Sequence, residues 1–288
     1  MKKIGIIFVF WLGLALVYKA IRPDRALALR YSEQSFNMST EQKSDKATDI
    51  LEKAIALIYL GEEGRVQSII DSAFVWHESV QSYKNLGRAY MNAGNFPEGL
   101  RYLDMAVEIE GDLARGTRGN YLMSDMQDYE RAVVDLKAFE KHDPGPSFYG
   151  PSNIQILIGQ CYLSLNQYDQ SIKAFDQYFK DLEIIGKEKY DVYAYFYRGI
   201  AQHRGGNYGA ALADLNSFTE KYVEGPEAYF ERAKIYYDLK DLDKACAEID
   251  LAEKYARKGY LRGFIHFDLP EEVHLNDILE LKSTICSE

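Results

Sequence analysis

The sequence predicts an all-α chain: helix pairs stacked as a solenoid, closed by a capping helix and preceded by an apolar anchor helix. Three observations predict it. Apolar and small residues recur at spacings of three and four in paired stretches, with Gly- and Asn-containing breaks between them. The same small positions return at a near-constant interval along most of the chain. Pro is scarce at 7 while Tyr reaches 23 and Phe 14, the composition expected where aromatic side chains fill the gaps between stacked helices.

The first element is the N-terminal segment. Met1–Lys3 is short and basic, and Ile4–Tyr18 (IGIIFVFWLGLALVY) is an uninterrupted apolar run. A basic start followed by an apolar core is the form of an export signal. As a helix the run reaches about 22 Å, short of the roughly 30 Å hydrocarbon core. Extension to Ile21, with Lys19 snorkelling, brings it to about 27 Å, enough for a thin bilayer. A cut after Ala20 would leave Tyr18 and Lys19 before the bond, and Ala26 and Ala28 lie beyond Arg22, Asp24 and Arg25. The reading therefore favours an uncleaved membrane anchor over residues 1–21, with a cleaved signal and secretion as the alternative. Lys2 and Lys3 argue for an inside N-terminus and the basic residues after the run argue the reverse. The export form places the body outside the cytoplasm, in the periplasm if the source is bacterial.

Residues 22–44 are polar, with little apolar periodicity beyond Ala26–Leu29, and read as a stalk. From Asp45 the pattern becomes helical in pairs. The clearest unit is Tyr195–Phe218 (YFYRGIAQHRGGNYGAALADLNSF): Tyr195 and Gly199 on one helix, a Gly205-Gly206-Asn207 break, then Ala211, Leu215 and Phe218 on one face of the next. The same form appears at Tyr83–Ala106, at Tyr229–Ala252, around Gly159 to Phe175, and around Gly119 to Pro144. A faded copy lies near Ala56, Tyr59, Ser68 and Ser72. The small residue of the second helix falls at Ser68, Gly99, Ala132, Ser171, Ala211 and Ala245, in steps of 31, 33, 39, 40 and 34. A period of about 34 with insertions at Pro144–Ser152 and Glu183–Lys189 accounts for these steps.

This pattern resembles the tetratricopeptide repeat, W-x2-L-G-x2-Y followed by A-x3-F and then Ala and Pro, over about residues 45–257. The resemblance implies six helix pairs coiled as one right-handed solenoid. Residues 258–288 then form a loop and a cap. Pro270 with Glu271 and Glu272 marks a helix start, so Glu271–Ile285 is expected to cover the open face of the last repeat. Cys246 on the last repeat and Cys286 at the end of this cap resemble a recurrent arrangement in exported bacterial proteins of the family. That resemblance suggests a disulfide, with two buried thiols as the alternative. Cys161 is expected to be a buried free thiol.

The chain carries a net charge of -10, and its first thirty residues are basic (Lys2, Lys3, Lys19, Arg22, Arg25 and Arg30 against Asp24), so the body is more acidic still. Such a body repels phosphate backbones, and nucleic acid is not expected as a partner. The sequence contains no phosphate-binding loop, no nucleophile elbow and no zinc motif, so neither catalysis nor a cofactor is expected. His266, Asp268, Glu271 and His274 have metal-ligand chemistry, but Glu271 and Glu272 suit a helix N-terminus better, and no metal is assigned.

In this family the first helix of each pair lines a concave surface, through its positions 2, 5, 9 and 12. The resemblance assigns the partner-binding groove to Lys84, Arg88, Tyr193, Phe196, His203, Phe230, Lys234 and Tyr237, with Gln81, Met91, Ile200 and Glu227 on the same stripes. Its second half is aromatic. Lys84 and Arg88, one turn apart, suit a carboxylate and resemble half of a chaperone-binding clamp, although Asn153 and Leu157 replace the companion residues. The alternative is that the rings pack between repeats. The expected function is a non-enzymatic scaffold tethered to a membrane and binding a protein segment. A self-associating envelope component and a chaperone co-factor are the alternatives.

Overall fold

The structure, a computed structural model, describes residues 38–142, 145–150, 152–185, 191–261 and 271–286. The anchor segment and most of the stalk lie outside the described residues. So do Pro270, His266 and Asp268. Among the described residues no helix is long and apolar enough to cross a membrane.

Thirteen α-helices are present among the described residues, as six pairs and a cap. They divide into two compact units, one ending at Ile109 and one starting at Glu110. The first unit contains α1 (Thr40–Tyr59), α2 (Val66–Trp76), α3 (Val80–Asn92) and nearly all of α4 (Phe96–Glu110). α1 opens inside the expected stalk, ahead of Asp45. Ser39 is the reason: its hydroxyl accepts from the Gln42 amide, and Gln42 Oε1 accepts from the Ser39 amide, a reciprocal box that satisfies two exposed donors. Ala47, Leu51, Ala54 and Ile58 then form its buried stripe.

Ser68, expected at the crossing of the first pair, is instead exposed, and its hydroxyl bonds the Arg65 carbonyl. The fully buried small residue of α2 is Ala73. In the second pair the small residues sit where the period predicts. A Cβ on Gly87 would lie 2.7 Å from Leu103 Cγ, and one on Gly99 would lie 2.6 Å from Met91 Sδ, so both backbones approach too closely for any side chain. Tyr90 stacks on Tyr102 at 5.6 Å beside them.

The second unit holds α5 (Asp112–Ser124), α6 (Tyr129–His142), α7 (Ile154–Ser164), α8 (Tyr168–Ile185), α9 (Tyr193–Arg204), α10 (Tyr208–Lys221), α11 (Pro226–Asp238), α12 (Leu242–Ala256) and α13 (Leu275–Ile285). Ala132, Ser171, Ala211 and Ala245 are fully buried at the successive crossings. Ser171 adds a tie, donating its hydroxyl to the Gly159 carbonyl at 2.8 Å. The turn inside each pair repeats as well, with a left-handed residue at Gln127, Asn166, Gly206 and Lys240. Such a residue ends a helix and reverses the chain. Gln127 and Lys240 occupy that conformation at a local cost that the packed pair holds in place.

The two insertions behave differently. The first forms a small antiparallel pair, β1 (Phe148–Tyr149) with β2 (Ser152–Asn153), and Asn153 caps α7 through the Gln155 amide. The second begins as the last turn of α8 and continues outside the described residues.

The cap starts at Leu275, later than the expected Glu271. Glu271 has φ +63°, which no helix continues, and His274 is the N-cap, its amide donating to Asp277 Oδ2 at 2.8 Å. α13 lays Ile278 and Ile285 against Tyr229, Ala233, Ala245, Ile249 and Ala252, the open apolar face of the sixth pair. Cys246 and Cys286 are bonded, with Cα atoms 5.5 Å apart. Cys161 is fully buried, and desolvation pushes its thiol up to about 12.

Candidate functional site

The expected groove residues divide between the two units. In the first, α3 leaves Arg88 exposed and Lys84 half-buried, while Met91 of the same stripe is in the core. Gln81 is exposed and bonds Asn85 along the helix.

In the second unit the stripe is mostly closed. Phe196 is 2% exposed and Ile200 1%, inside one cluster with Tyr197, Leu215 and Phe218. The Phe196 ring lies 5.4 Å from Tyr197 and 5.8 Å from Phe218. Tyr193 is half-buried, its ring edge-on to Phe218 at 5.2 Å. Of the same positions on the preceding first helices, Gly116 and Met123 on α5 and Ile156, Gln160 and Leu163 on α7 are buried, while Leu113 on α5 is exposed and Asn120 half-buried. Phe196 is therefore a core residue, not a groove residue. The helical-wheel rule says which residues share a stripe; it does not say how closely neighbouring helices approach across it, and here they approach closely enough to dehydrate the stripe.

His203 is also buried, at 8% exposure, between α9 and α11. Its Nδ1 is 2.6 Å from Glu231 Oε1 and its Nε2 2.9 Å from Asp238 Oδ2. Lys234 donates to the other Glu231 oxygen at 2.7 Å. Burial alone would lower the His203 pKa. The Glu231 hydrogen bond and charge and the Asp238 hydrogen bond outweigh burial and a small opposing effect of Lys234, and the pKa is raised. Burial would raise Glu231, but the His203 bond and the Lys234 charge hold it down to about 2.

An open part of the stripe is on α11. Phe230, Lys234 and Tyr237 are half-buried there, the two rings resting against the last core cluster. Lys234 Nζ lies 5.5 Å above Phe230, and Lys240 Nζ 5.1 Å above Tyr237. Glu227, the first position of this stripe, is buried.

Sequence reasoning missed a repeated ion pair. Arg198 Nε and Nη2 donate to the two Asp214 oxygens at 2.8 and 2.6 Å, while Nη1 reaches Asp176 at 2.7 Å. Arg118 makes the same fork on Asp135, joined by Arg115, and Arg232 pairs with Glu248. The pairs join the first helix to the second in the third, fifth and sixth repeats. Burial raises the Asp214 pKa against the pull of Arg198. The signal was legible: each Arg precedes the small residue of its helix (Arg118-Gly119, Arg198-Gly199, Arg232-Ala233), and each acid follows the buried Ala of the next helix by three positions. These guanidinium groups are committed to holding helix pairs together, and one that is bonded bidentately to a buried carboxylate is not offered to a ligand. Of the weighed metal set, Glu271 pairs with Arg204 and His274 caps α13, while His266 and Asp268 lie outside the described residues.

Paired antiparallel helices, crossing at small residues with a left-handed turn inside each pair and stacked in register, define a helical-repeat interaction fold. The tetratricopeptide-repeat family model matches residues 156–217 and 198–259, and that stretch of the chain is built of tetratricopeptide repeats. Solved structures share the fold at low identity. A tetratricopeptide repeat protein from Parabacteroides merdae ATCC 43184 is 16% identical, covering 84% of this chain and 99% of that one, with a TM-score of 0.55. MamA (residues 41 to the end) from Desulfovibrio magneticus RS-1 is 17% identical over 62% of this chain and 96% of its own, at 0.53. YrrB, a tetratricopeptide-repeat protein with an unusual peptide-binding site, is 17% identical over 62% and 87%, at 0.50. No curated protein matches the chain by sequence.

Proposed function

We propose that this protein is a non-enzymatic scaffold, tethered to a membrane by its N-terminal apolar run, that holds a segment of a partner protein against α11. The observation that carries the reading is the contrast along the stripe. The Phe196 and Tyr197 rings on α9 are dehydrated, whereas Phe230 and Tyr237 are only partly buried, beside Lys234 and Lys240. Exposed aromatic faces flanked by cations gain from being covered by an extended segment that carries apolar and acidic groups. Peptide binding by YrrB is compatible with this reading, since the two share the fold.

The double substitution Phe230→Ala, Tyr237→Ala is expected to leave the melting temperature close to wild type and to weaken partner binding by about 2 kcal/mol or more. The measurement is affinity capture from native membranes with mass spectrometry, wild type against variant, at matched stability. Equal recovery of every captured protein would remove α11 from the interface. Sedimentation of the isolated chain as an oligomer would favour the self-associating envelope component.

The tether rests on Ile4–Tyr18 and the poor cleavage context after it. The mature protein is expected to fractionate with membranes and to retain residues 1–21, its body accessible from outside the cytoplasm. N-terminal sequencing that begins at Ile21 or later would replace the tether with secretion.

A further inference from the structure

A buried histidine flanked by a carboxylate at each ring nitrogen has a proton-dependent number of bonds. The imidazolium donates at both nitrogens, so it can satisfy Glu231 and Asp238 together. The neutral ring has one N–H and one lone pair, so it donates to one carboxylate and repels the other. Which contact fails is decided by burial. Glu231 is 3% exposed and Lys234 cannot satisfy both of its oxygens alone, so Nδ1 keeps the proton. The Asp238 side chain is 46% exposed and can turn its carboxylate into water.

We propose that the junction of α9 with α11 is a proton-operated joint, in which protonated His203 ties the last residue of α11, Asp238, to α9, and neutral His203 releases it. Besides Glu231, Lys234 and Asp238 on α11, the charged and titratable neighbours are Arg204 on α9, paired with Glu271, Tyr168 of α8 beside that pair, and Tyr208 of α10, whose ring is 5.7 Å from His203. The carboxylates therefore dominate the surroundings of the ring. Because the pKa is raised, the tie is complete below the ordinary histidine value near 6.5 and is lost as pH rises through the higher folded value. The released turn contains Tyr237, so the same proton sets the mobility of one side of the open surface on α11.

The test is independent of any partner. In the full chain, an NMR titration of the His203 imidazole is expected to give a pKa above about 6.5, moving down in Asp238→Asn. Amide exchange at the C-terminal turn of α11, corrected for intrinsic rates, is expected to be several-fold faster at pH 8.5 than at pH 6. That difference is expected to vanish in Asp238→Asn, a substitution at a half-exposed side chain that leaves the core untouched. A His203 pKa at or below 6.5, or the same pH difference in the variant, would overturn the joint.

Discussion

Phe196→Ala is expected to destabilise the protein by about 3–5 kcal/mol, the range for removing a buried aromatic ring. The ring touches Tyr193, Tyr197 and Phe218 and is almost wholly dehydrated, so its loss opens a cavity among residues that are themselves fixed by the fifth pair. In a stacked repeat each pair is stabilised by its own core and by its two neighbours, so the damage should concentrate in α9 and α10. Denaturant melts followed by hydrogen exchange resolve this: global stability falls, and amides of α9 and α10 lose protection first. Phe230→Ala, at a half-buried ring, is expected to cost much less. A Phe196 variant that loses under about 1 kcal/mol would show that this ring is a surface group and would restore it to the groove.

The difference between those two phenylalanines explains what the sequence makes legible. Small residues at helix crossings were legible because close backbone approach admits almost nothing else. Gly87, Gly99, Gly119 and Gly159 each leave no room for a Cβ without a collision or a tight contact. Exposure was not legible at the same positions, because Phe196 and Phe230 are the same residue type at the same register. What separates them is the distance to the next helix, a property of the whole stack. Helix starts were legible only where their capping chemistry was read. Ser39 with Gln42 spells a reciprocal cap in the sequence, and His274 with Asp277 spells another; the run of glutamates at Glu271 and Glu272 pointed to a start that the backbone of Glu271 does not allow. The faded first repeat shows the opposite failure. Ser68 fits the spacing but finds a local carbonyl to bond, and Ala73 carries the packing.

Breaking the Cys246–Cys286 link is expected to lower stability by about 2–4 kcal/mol, and to do so at the C-terminal end alone. The two cysteines enclose a separation of 40 residues, and in the chain-entropy account closing a loop of that length removes about 4 kcal/mol from the unfolded state, an upper figure before strain. The bond sits where it matters. Cys286 ends α13 and Cys246 lies near the start of α12, while Lys282 meets Asp250 at 2.6 Å and Glu253 at 2.8 Å further along α12, so the cap runs antiparallel to its partner helix. The Lys282 contacts are solvent-exposed and contribute little, and a lone short cap is marginal as a helix, so the covalent link and the burial of Ile278 and Ile285 supply most of the docking energy. Peptide mapping without reductant is expected to recover Cys246 joined to Cys286 and Cys161 as a free thiol that alkylates only after unfolding. A Cys246→Ser, Cys286→Ser variant should lose exchange protection in α12 and α13 while α5–α8 stay unchanged. Alkylation of all three thiols after unfolding without reductant would refute the bond. It would also weaken the case for export, because a link of this kind persists where the surroundings are oxidising.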